Sequence, residues 1–68
     1  MTEFGITEYN GDSRVYRGAV KAETATDALE TLGKGWPLIP VMHDTGPKGS
    51  ALTIDPEDFG HFYTADEV

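Results

Sequence analysis

A chain of 68 residues with 38% hydrophobic and 25% charged content fits one globular domain, and its eight glycines and four prolines make it loop-rich rather than disordered. The absence of cysteine excludes a disulfide framework and a thiolate metal site, and is compatible with a reducing cytoplasm. The formal charge of −7 disfavours direct binding to phosphate backbones or anionic lipid, and favours basic partners.

The N-terminus, Met1-Thr2-Glu3-Phe4-Gly5, has no basic region followed by an apolar run, and no stretch approaches the ~18 apolar residues of a membrane span. With no repeat or linker, residues 1–68 are expected to form a single small α+β domain, and cytoplasmic localisation is the expectation. A domain of this size buries only about 60% of its unfolded surface, so a partner or a homodimer would add stability.

Glu3 to Tyr9 alternates Phe4 and Ile6 with polar residues, the period of a half-buried strand. Asn10-Gly11-Asp12 reads as a turn, and Arg14 to Glu23 as a second strand with Tyr16, Val20 and Ala22 in phase with Phe4 and Ile6. A two-residue Asn10-Gly11 turn would put the two apolar sets on opposite faces. A three-residue loop, Asn10 to Asp12, is therefore the preferred register. The alternative keeps the tight Asn10-Gly11 turn and corrects the phase with a bulge near Gly18.

Thr24 is expected to cap a short helix, with Asp27 three residues on and an apolar stripe of Ala25, Ala28, Leu29 and Leu32 that ends at Gly33. Two turns are too few to be stable alone, so the stripe must pack on the hairpin. Leu38 to Met42 is apolar, but Pro37 and Pro40 confine it to an edge strand or an irregular extended segment. Thr45 to Ser50 reads as a connector and Ala51 to Ile54 as a further strand. Asp55-Pro56-Glu57-Asp58 has the form of a helix start, Asp as cap and Pro first. Residues 56–64 fit helix or strand equally, and Ala65 to Val68 reads as frayed. The fold expected is a small antiparallel sheet, ββαββ-like, with the helix on one face.

Chemical motifs fail one by one. Asp55 to Gly60 has acids at positions 1 and 3 of a calcium loop and glycine at 6, but Phe59 stands at 5 and Asp66 at 12. His43, Asp44 and His61 match no metal-ligand spacing. Ser13 and Ser50 lie in no nucleophile elbow, and Lys48-Gly49-Ser50 and Gly33-Lys34-Gly35 are incomplete phosphate or dinucleotide motifs. No cofactor and no metal is expected, and neither is enzymatic activity.

Residues 1–34 carry six acids against four bases and residues 35–68 six against Lys48 alone, leaving −2 and −5. The acidic half is also aromatic. Asp55, Glu57, Asp58, Asp66 and Glu67 with Phe59, Phe62 and Tyr63, and Trp36 as a candidate anchor, are the residues expected to meet a partner. Spaced acids can imitate nucleic-acid phosphates, so the expected partner is a larger protein with a basic or nucleic-acid-binding surface. An acidic, cysteine-free α+β chain with one short helix resembles phage-encoded accessory and anti-defence proteins in style, a likeness that assigns no site. The rival readings are an oligomerising module acting through the Leu38 to Met42 edge, and a small metal-dependent or hydrolytic enzyme.

Overall fold

The computed structural model describes residues 1–41 and 50–68. The sequence of elements is β1 (Thr2–Asn10), β2 (Ser13–Ala22), α1 (Ala25–Glu30), β3 (Leu38–Val41), β4 (Ser50–Asp55) and β5 (Asp58–Glu67). They build one antiparallel sheet in the order β2-β1-β5-β4-β3 with α1 packed on one face, a five-stranded version of the expected α+β fold. Met42, His43, Asp44 and the predicted connector to Gly49 lie outside the described residues. Among those described, no helix is long and apolar enough to cross a membrane.

The first hairpin corrects the preferred register. Its turn is two residues, Gly11-Asp12, with Asn10 opposite Ser13, and Gly11 at φ 61 takes the first central position, as a II′ turn requires. Thr7 pairs with Tyr16 but Ile6 pairs with Gly18, so Arg17 is an extra residue and Gly18 sits at φ 97. The arrangement is a tight turn with a bulge near Gly18, but the turn is Gly11-Asp12 and not Asn10-Gly11. The bulge restores the phase beyond it, placing Val20 opposite Phe4 and Ala22 opposite Thr2 on the helix side. Tyr16 lies before the bulge, so it falls on the other face and is 63% exposed.

Helix α1 forms as its cap demands: Asp27 N–H donates to Thr24 Oγ1 at 3.1 Å, and Gly33 at φ 68 ends the turn that follows. Its buried face, Ala25, Ala28 and Leu29, meets Phe4, Ile6, Ala22, Ala51 and Ala65. Five buried alanines let the helix come close to the sheet.

The C-terminal third differs most from expectation. Asp55-Pro56-Glu57-Asp58 starts no helix: Asp55 is opposite Asp58, and Asp55 Oδ1 accepts from Glu57 N–H at 2.8 Å. An Asp before Pro offers the same side-chain acceptor to a helix or to a turn, and here the chain reverses. Residues 58–67 are strand, which settles the choice left open for 56–64. The end is not frayed either: β5 lies between β1 and β4, Ala65 is fully buried, and Val68 N–H donates to Glu3 O at 3.0 Å. Leu38–Val41 forms the sheet edge, where Pro40 costs no internal ladder.

Candidate functional site

Six helical residues span about 9 Å, far less than the strands they lie on. Beyond α1 the same sheet face turns polar. Glu8 continues the side of Phe4 and Ile6, and its neighbours are Arg17 from the bulge and His61 and Tyr63 from β5. The segment after the helix lays Trp36 over them.

Glu8 Oε1 accepts from Arg17 Nε at 2.9 Å and from Arg17 Nη2, and Oε2 lies 2.7 Å from His61 Nε2. The Arg17 guanidinium first, and His61 second, hold the Glu8 carboxyl down to about 2. An ionised carboxylate only accepts, so His61 Nε2 carries the hydrogen. His61 Nδ1 faces Asp55 Oδ2 at 3.9 Å, too far for a hydrogen bond. Burial, then the Glu8 carboxylate, push the Tyr63 phenol up.

Rings close the cluster. Trp36 meets His61 edge-on at 5.2 Å between centroids and lies 5.9 Å from Tyr63. Lys34 Nζ stands 5.5 Å from the Trp36 centroid and 5.7 Å from that of Tyr63, within cation–π range. A pocket of about 170 Å³ lies beside Trp36, between Leu29, Leu38 and Thr53. It is smaller than the several hundred Å³ of typical ligand sites. Thr53 Oγ1, its nearest hydroxyl, donates to Pro37 O at 2.9 Å. Among the described residues no three His, Asp or Glu are placed to hold a metal ion. Charge-assisted bonds tie β1, β2 and β5 together here, and the Trp36 segment rests on them through ring contacts.

The nine residues expected to meet a partner are divided among several places. Tyr63 is buried in the core, and Trp36 packs half-buried against it. Phe62 points to the opposite face, stacked on Tyr9 at 4.9 Å. Asp66 shares that opposite face and accepts from the Ser50 hydroxyl at 2.6 Å, while Glu67 pairs with Phe4 at the far end of β5. Asp55 turns toward His61.

Glu57, Asp58 and Phe59 stay together at the β4–β5 turn. Phe59 is 73% exposed, and Gly60 O accepts from Gly11 N–H at 3.0 Å, which brings the turn carrying Asp12 alongside. This end of the sheet is an exposed phenylalanine among three acids.

No motif in the sequence marks the Glu8, Arg17, Lys34 and His61 grouping. Its one signal was Glu8 itself, a charge in phase with Phe4 and Ile6. No protein family, curated protein or solved structure matches the chain.

Proposed function

We propose that this chain is a non-enzymatic binding module that docks its acidic, phenylalanine-tipped end on a basic surface of a larger protein, of the kind that holds nucleic acid. Phe59 carries the reading. Exposing a phenylalanine at a turn gives up burial worth about 1.5–3 kcal/mol, and a complementary pocket would recover it. Asp12, Glu57 and Asp58 around it supply the steering charge, in a molecule of net charge −7.

The test is capture of basic proteins from an extract of the source cells by the immobilised chain, followed by affinity measurement on the captured protein. Affinity should fall steeply from about 0.05 to 0.3 M salt, and double-stranded DNA should compete. Phe59→Ala should cost at least about tenfold, and Glu57→Gln with Asp58→Asn should flatten the salt dependence. Binding indifferent to salt and to these substitutions would overturn the reading.

A further inference from the structure

Among the described residues nothing covers the sheet face away from α1, and an apolar band crosses it from edge to edge. Tyr16 on β2, the stacked pair of Tyr9 and Phe62, Ile54 and Leu52 on β4, and Ile39 on β3 all point to this side. Tyr16 is 63% and Ile39 45% exposed, and the other four are half-buried. We infer that this face is a dimer interface, and that its occupant is the same face of a second copy of this chain.

Charge selects a second copy over another partner. Among the described residues the face carries Glu3 and Asp66 together with Arg14 and Lys21, two acids against two bases, with Glu3 directly opposite Lys21. It is electrically balanced on a chain of net charge −7. Two such chains repel everywhere else, whereas here they can approach without a net field between them. A strongly basic or acidic partner finds no steering on this side.

Area agrees. Three strands have nine or ten residues, β4 has six and β3 four, at about 3.3 Å per residue and about 4.8 Å between strands. The face projects roughly 620 Å² per copy, so a pair would cover about 1,200 Å², at the lower end of the range of stable specific interfaces. Stacking two sheets also supplies a second layer on the face that α1 leaves without one. The β3 edge is a poorer route to a dimer, because it is four residues long and includes Pro40.

Sedimentation equilibrium of the full chain from about 1 μM to 1 mM tests the inference. A reversible monomer–dimer equilibrium is expected. Tyr16→Glu, at the most exposed position of the band and far from β3, should raise the dissociation constant at least about tenfold while far-UV circular dichroism stays unchanged. Leu52→Lys should do the same from the other side of the face. If Leu52→Lys fails to fold, Tyr16→Glu still decides. A chain that is monomeric throughout, or a dimer that Tyr16→Glu leaves intact, overturns the inference.

Discussion

Glu8 shows how one residue can be in phase with a core and not belong to it. Its carboxylate sits on the helix side of the sheet, with 13% of its side chain exposed, and is held ionised by Arg17 and His61. Its folded value of about 2 lies below the ordinary 4.5, so its contribution to stability is complete above about 4.5 and is lost as pH falls toward 2. Glu8→Gln is therefore expected to be less stable than wild type at pH 7 and nearly equal to it near pH 2. Chemical denaturation across that range measures the difference. A gap independent of pH would show that the ion pairs contribute nothing specific. The alternation of Glu3 to Tyr9 made the strand legible but not the role of Glu8, whose partners lie 9 and 53 positions away, and only one of those, Arg17, is on the adjacent hairpin strand.

At the scale of elements, what was legible had a local cause. The Thr24 cap marks α1, and Pro40 marks an edge, because each acts within a few residues. The hairpin register depended on a bulge, which the parity of Tyr16 hid: Tyr16 matches Phe4 in number yet belongs to the other face. Asp55-Pro56 was ambiguous because one side-chain acceptor serves a helix cap or a turn. The bulge makes a sharp contrast between two glycines. Gly18 at φ 97 has open space where a Cβ would be, so Gly18→Ala should cost about 1–2 kcal/mol through backbone strain alone. A Cβ on Gly5 would come within 3.2 Å of Tyr16 Cε1, but that ring is exposed and free to swing aside, so Gly5→Ala should stay within about 0.5 kcal/mol of wild type. Urea midpoints of the two variants test this. Equal midpoints would remove the bulge as the device that sets the phase.

For the whole molecule, strand order was not legible, since the central place of β5 rests on pairing with β1 across more than fifty residues of chain. The acid-rich C-terminus thereby became the middle of the sheet, and the expected acidic, aromatic surface was reduced to one end. Charge acts at this scale too, with a sign that salt can reveal. The attractive contacts of Glu8 are short, 2.7 and 2.9 Å, whereas the excess of negative charge acts across a body 30 Å long. The Debye length is about 30 Å at 0.01 M salt and about 8 Å at 0.15 M, so added salt screens the long-range repulsion and leaves the close pairs nearly intact. The melting temperature of a dilute, monomeric sample is expected to rise over that interval and then level off. A gain of about 1 kcal/mol would appear as a shift of about 4–8 °C in a domain of this size. A melting temperature that falls with salt would mean that the ion pairs outweigh the repulsion, and that a charge of −7 costs this fold little.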